Sequence, residues 1–137
     1  MAPLLLDTHT AIWLVRNEPI ARAAEDAIKA VYDADGTLLA SPITAWEVGL
    51  LVSLKRIDLL ATPQRWFERL LSIPNVQLVE LSPDVLIAAS FLPGQPPRDP
   101  ADRILLATAR DLGAMLVTRD RAILAYAQEG HVGVVAC

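Results

Sequence analysis

Leu4-Leu5-Leu6-Asp7-Thr8-His9-Thr10 sets three leucines against a carboxylate, with a helical pattern beginning at Thr10. Three consecutive leucines read as a short strand, Leu4–Asp7, buried on both faces as in a parallel sheet. The carboxylate stands where that strand ends. In an open α/β sheet, ligands bind just beyond the carboxyl ends of the strands. Asp7 is therefore either the cap of the next helix or part of a site. Which of the two it is depends on the other acids that can join it.

Working outward, four dipeptides punctuate the chain: Ser41-Pro42, Thr62-Pro63, Ser82-Pro83 and Asp99-Pro100. Each sets a capping side chain before a proline, a common way for a helix to start. They predict helices over Pro42–Leu54, Pro63–Ser72, Pro83–Phe91 and Pro100–Leu112, the last closed by Gly113. Helices are also expected over Thr10–Arg16, from Pro19 to about Ala34, and over Asp120–Gln128. The second carries Ile20, Ala23, Ala24, Ala27, Ile28 and Val31 on one side. Further strands are expected at Leu38–Ala40, Val76–Leu81, Met115–Thr118 and Val132–Val135. Strands alternating with helices predict an α/β fold, a mostly parallel five-stranded sheet covered on both faces. The helix Pro42–Leu54 is apolar nearly all round and reads as buried. Trp13 and Trp46 read as core.

The chain has 137 residues, 53% of them hydrophobic, which suggests one domain over residues 1–137 with a substantial core. No apolar run approaches the roughly 18 residues of a membrane span. No basic region followed by an apolar core opens the chain, so a cytoplasmic location is expected. The one cysteine, Cys137, is the last residue, which fits a reducing compartment. A net charge of −4 excludes a protein that grips nucleic acid by overall charge. Any such contact is local or helped by a bound cation.

Four acids resist explanation as solvated helix faces. Asp7 ends the first strand. Asp120 ends the strand Met115–Thr118 in the same way. Asp102 lies in the first turn of its helix, where Asp99 already supplies the cap, and lines up with Leu105, Leu106 and Ala109. Glu47 shares a helix face with Ile43, Leu50, Leu51 and Leu54. A carboxylate in an apolar stripe costs several kcal/mol unless it is compensated. All four can meet at the carboxyl edge of one sheet. At about 5 Å and an effective dielectric of 20, each pair repels by about 3 kcal/mol. Protonation or divalent cations make such a cluster tolerable. All-oxygen donors suit Mg²⁺ or Mn²⁺, ions that typically act on phosphate esters.

Leu4–Trp13 resembles the opening of PIN-domain proteins of the VapC toxin type. Ser41-Pro42-Ile43-Thr44-Ala45-Trp46-Glu47 is similar to their second motif. The run Asp99–Ala109 resembles the third and Leu116-Val117-Thr118-Arg119-Asp120 the fourth. The likeness spans nearly the whole chain. It implies a single PIN domain and a Mg²⁺- or Mn²⁺-dependent endoribonuclease, the toxin of a type II toxin–antitoxin pair. It also implies a small VapB-like antitoxin covering the site, a homodimer, and Asp7, Glu47, Asp102 and Asp120 as the catalytic, metal-holding acids. Asp99 belongs to a subgroup pattern whose third residue is usually Phe and here is Ala101. Thr8, Ser41, Thr118 and Arg103 are candidates for orienting water or RNA phosphate, with helix capping an equal alternative for the hydroxyls. Arg98 and Arg119 also lie beside the acids, either to meet phosphate or to pair with them. His9 reads as structural.

Other functions fit less well. A haloacid-dehalogenase-like phosphatase needs an acid where His9 stands. A receiver domain needs a lysine late in the sheet, and the chain has only Lys29 and Lys55. No Gly-Lys phosphate loop exists. A PIN-fold nuclease acting on DNA or in RNA processing, and a silent PIN binding module, stay open as alternatives.

Overall fold

The computed structural model describes residues 1–137. Strands and helices alternate as β1 (Leu4–Leu6), α1 (Thr8–Arg16), α2 (Arg22–Asp33), β2 (Leu38–Ala40), α3 (Pro42–Ser53) and α4 (Pro63–Ser72). There follow β3 (Val76–Leu78), α5 (Pro83–Ser90), α6 (Pro100–Leu112), β4 (Met115–Thr118), α7 (Arg121–Ala127) and β5 (Val134–Ala136). The five strands form one sheet in the order β3-β2-β1-β4-β5. Every neighbouring pair is parallel. The Leu4–Leu6 strand is thus central. The chain winds outward from it on one side through β2 and β3, then crosses to the other side through β4 and β5. That reversal opens a crevice beyond the carboxyl ends of β1 and β4, where open sheets of this kind bind ligands.

The three leucines work as the sequence suggests. Leu4 and Leu6 point into one apolar cluster with Ile12, Ile28, Leu38, Trp66 and Leu70. Leu5 points into the other, with Leu105, Leu106, Leu116, Ile123 and Tyr126. Alternation along a strand places successive side chains on opposite faces. Helices cover both, so both must be apolar.

All four capping dipeptides start helices. Ser41 accepts from the Ile43 amide, Thr62 from Arg65, Ser82 from Val85 and Asp99 from Asp102, each with proline in the first turn. α1 leaves through Asn17, whose φ of 54° is left-handed. The amides of Asn17 and Glu18 return to the carbonyls of Leu14 and Trp13, a Schellman closure.

Several expected boundaries move. α1 begins at Thr8 and not at Thr10, because Asp7 itself caps it. α2 begins at Arg22 and not at Pro19, because Glu18 is still tied to the exit of α1. β3 is an edge strand that stops at Leu78, and β5 is shifted to Val134–Ala136. α3 is not buried. Only Thr44 and Val48 are buried on it, while Trp46 is 59% and Leu54 53% exposed. Its uniform hydropathy carries no information on which side faces in, since an inward face shows only as a contrast with an outward one. Trp46 is therefore a surface residue and not core. No helix is long and apolar enough to cross a membrane.

Candidate active site

At the crevice, Asp7, Thr8, His9, Glu47, Leu50, Leu51, Asp99, Asp102 and Asp120 line one pocket of about 310 Å³. Five of these nine side chains are carboxylates. The stripe of α3 that carries Glu47 therefore forms a wall of this pocket and not a piece of core. Leu50 and Leu51 are its apolar part.

Asp7 is the most firmly held. It is 7% exposed. Its Oδ1 accepts from the Thr8 amide at 2.7 Å, and its Oδ2 accepts from the Thr118 hydroxyl at 2.5 Å. Register explains the second bond: Leu6 sits opposite Val117, so the residues that follow them, Asp7 and Thr118, are neighbours at the sheet edge. The Asp7 amide also donates to the Val117 carbonyl. Thr118 accepts from the Asp120 amide at 3.0 Å. One hydroxyl thus joins the acids that end β1 and β4. The Asp120 Oδ1 caps α7 by accepting from the Ile123 amide. Capping and membership of the site are compatible roles for Asp7, Asp99 and Asp120, since one carboxylate oxygen suffices for a cap.

Glu47 reaches the pocket from α3. Its Oε1 accepts from the Thr8 hydroxyl at 2.6 Å. Thr44 lies 3.2 Å from Thr8. Since Thr8 gives its proton to Glu47, Thr44 donates to Thr8. The pair forms a relay that fixes Glu47. Thr44 lies within the second motif-like stretch, but no periodicity or spacing of its own marks it as part of the site.

Asp102 is different. Its carboxylate receives no hydrogen bond, and none of the five acids has an ion-pair partner in the chain. Burial, reinforced by Asp120, Asp99, Asp7 and Glu47, pushes its pKa up to about 8. Burial also raises the carboxyls of Asp7 and Glu47, against the lowering effect of their hydroxyl donors. Burial and repulsion therefore both oppose ionisation, the situation in which perturbed groups mark a functional site.

Other candidates lie elsewhere. Ser41 is fully buried, caps α3 and does not line the pocket. The guanidinium of Arg103 is spent on backbone: it donates to the carbonyls of Ala89 at 2.9 Å, Pro97 at 3.1 Å and Ser90 at 3.2 Å. It thereby buckles the proline-rich loop onto α6. Arg103→Met keeps the stem and removes three charge-assisted bonds. We expect a loss of about 2 kcal/mol of stability, read from urea unfolding, with faster amide exchange confined to residues 90–98. Trp13 is half-buried, and Arg119 lies over its ring.

No three His, Cys, Asp or Glu side chains converge closely enough to form a ready-made ion site. The carboxylates stand around the pocket, and repulsion works against closer approach. The donor set still fits a hard divalent cation. It is all oxygen, it lacks any compensating cation, and Asp102 has both oxygens free.

The chain is similar to known proteins along nearly its whole length. The PIN domain family model matches residues 4–129. Ribonuclease VapC22 of Mycobacterium tuberculosis is 37% identical over 121 residues, 88% of this chain and 89% of its own length. A toxin–antitoxin complex from Klebsiella pneumoniae contains a chain that superposes with a TM-score of 0.63 at 26% identity, covering 96% of this chain and 95% of its own. VapBC2 from Rickettsia felis, bound to a DNA fragment from its promoter, gives a TM-score of 0.67 at 13% identity over 98% of both chains. The last shows likeness of fold alone. With the family model covering nearly its full length and a relative of that identity beside it, the chain belongs to the PIN domain family.

Proposed function

We propose that the chain, acting as one domain over residues 1–137, is a divalent-metal-dependent endoribonuclease and the toxin of a VapBC-type pair. The observation that carries this reading is the pocket itself: five carboxylates at the topological switch point, none paired with a cation. The kinship with Ribonuclease VapC22 selects RNA as the substrate. The likeness to the Klebsiella complex supports an antitoxin partner that covers the pocket. A homodimer, and a cytoplasmic location beside RNA and antitoxin, complete the reading.

Asp7, Glu47, Asp102 and Asp120 would hold Mg²⁺ or Mn²⁺. Bound there, the ion supplies activation of water and neutralisation of charge on the leaving oxygen. The protein's own part is positional. Asp7 cannot rotate, because Thr8 and Thr118 hold both its oxygens. Thr8 aims Glu47, leaving Oε2 unbonded. Asp120 keeps Oδ2 free after capping α7. Asp102 contributes a carboxylate with no competing donor. The helix N-terminus at Thr8 and the backbone at Thr118 keep these groups at the sheet edge. His9, exposed on the pocket wall, is a contact for substrate and not a required base.

Purified protein is incubated with total RNA in Mg²⁺, in EDTA, and in EDTA followed by excess Mn²⁺. Discrete fragments are expected in the first and third reactions only. Equal cutting in EDTA overturns the metal dependence. No cutting with either ion, from protein separated from any antitoxin, overturns the nuclease reading.

A further inference from the structure

The acid pocket has an immediate neighbour whose chemistry is the reverse of its own. Arg119 directly precedes Asp120 and follows Thr118, the residue that bonds Asp7. Its guanidinium carbon lies 4.0 Å from the centroid of the Trp13 ring. Trp13 is also stacked with His9, at 6.2 Å between centroids and 22° between planes. His9 lines the acid pocket. One column therefore runs from the pocket wall through His9 and Trp13 to Arg119.

Arg119 is exposed, and it makes no hydrogen bond or ion pair within the chain. Other arginines are either occupied or lack an aromatic seat. Arg103 is spent on three carbonyls, Arg16 on Glu18 and the Asp58 carbonyl, and Arg110 on the His131 carbonyl. Arg56, Arg65, Arg69, Arg98 and Arg121 make no side-chain hydrogen bond or ion pair either, but none of them lies over an aromatic ring. Arg119 is thus a cation with a seat and no partner. A guanidinium lying on an aromatic face keeps its N–H edge free for bidentate contact with phosphate.

The surroundings narrow its ligand. Trp13 also lines a second depression, together with Glu18 and Glu25. A polyanion crossing this surface meets acids in both hollows and a cation on the tryptophan that borders the second. Within the pocket, its charge must be met by divalent ions. Outside it, Arg119 is the positive group that an aromatic ring holds beside the pocket.

We propose that Arg119, propped by Trp13, grips a backbone phosphate of single-stranded RNA next to the bond held over the acids. This rests on the ribonuclease reading of the pocket. Arg119 is then a substrate-binding residue, and Trp13 a positioning residue that acts through it. The exposed His9 ring continues the column toward the neighbouring nucleotide.

The test measures binding of an unstructured, mixed-sequence, fluorescent single-stranded RNA by anisotropy in Mg²⁺ across a salt series. An Asp7→Asn background prevents cleavage. Arg119→Ala is expected to weaken binding about tenfold and to flatten the log–log salt slope by about 0.7, the contribution of one phosphate contact on a single strand. Arg119→Lys retains the slope and recovers only part of the affinity. Trp13→Leu leaves the slope alone and weakens binding about threefold, since the charge remains but its seat is lost. Arg22→Ala, an exposed charge paired with Asp26 on α2, changes neither. The proposal is overturned if Arg119→Ala binds RNA with the parent's affinity and slope. It is overturned equally if Arg22→Ala loses as much, which would mean a diffuse charge effect. An Arg119 that serves an antitoxin and not RNA appears as the first of these outcomes. Cleavage of total RNA by the unsubstituted protein, run alongside, separates this proposal from the nuclease reading: cleavage with unchanged Arg119→Ala binding removes only the former.

Discussion

Asp7→Asn is expected to lower the rate of RNA cleavage by about a thousandfold while leaving the melting temperature within a few degrees of the parent. Both halves follow from how Asp7 is held. Asparagine keeps an oxygen for the Thr8 amide, and its nitrogen can donate to the Thr118 hydroxyl, which still accepts from the Asp120 amide. The local frame survives. The lost charge does not return. A residue that helps hold a divalent ion supplies several kcal/mol of charge stabilisation in the transition state, and about 4 kcal/mol corresponds to three decades in rate. Single-turnover cleavage with saturating protein reads the chemical step directly. A variant that retains a tenth or more of the parent rate, correctly folded by circular dichroism, removes Asp7 from the metal-holding set.

Asp102→Asn separates stability from activity. The Asp102 carboxyl titrates near 8 in the folded chain against 3.8 for an ordinary aspartate. Between those values the unfolded chain has lost the proton and the folded chain keeps it. Stability must then fall as pH rises from about 4 to about 8, and level off above. Asp7 and Glu47, also raised, act with the same sign. In EDTA, the protein is expected to melt higher at pH 5.5 than at pH 8. Asp102→Asn removes the largest part of that slope. It raises the melting temperature at pH 8 by about 5 °C, after discounting for the solvent that screens a half-buried group. Mg²⁺ does the reverse experiment on the parent. If Asp102 holds the ion as proposed, Mg²⁺ competes with the proton there, so its stabilising effect is expected to grow from pH 5.5 to pH 8 and to be largely lost in the variant. RNA cleavage by the variant drops despite its greater stability. A melting temperature in EDTA that rises with pH, or an Asp102→Asn protein less stable than the parent at pH 8, contradicts this account.

How much was legible beforehand depended on whether a signal was local. The caps Ser41, Thr62, Ser82 and Asp99 each act within three residues of themselves, and they located four helices. The leucines of β1 predicted a strand covered on both faces because no polar side chain interrupts them. Glu47 announced itself as a charge among apolar neighbours. Its stripe was misplaced in the core because hydropathy cannot distinguish the lining of a pocket from the interior of a protein. The same blindness hid the exposure of Trp46. Thr44 and Thr118 owe their parts to partners far along the chain, Thr8 and Asp7, and no spacing rule connects residues 111 positions apart. Arg103 misled in the opposite direction. An arginine beside acids suggests phosphate or an ion pair, yet the proline-rich loop and the end of α5 claim it: prolines lack amide donors, and the carbonyls of Ala89, Ser90 and Pro97 are left for the guanidinium.

The strand order has a consequence in time. β1 is the first strand to be made, and it sits in the middle of the sheet between β2 and β4. One flank can be filled early, by Leu38 and Leu39; the other waits for Met115, Leu116 and Val117. Long-range parallel pairings of this sort form late and slowly. During synthesis, which proceeds from the amino terminus, Asp7 therefore lies beside an open edge, without Thr118, Asp102 or Asp120, until β4 has been made. The acid pocket comes into being only once β4 has docked against β1.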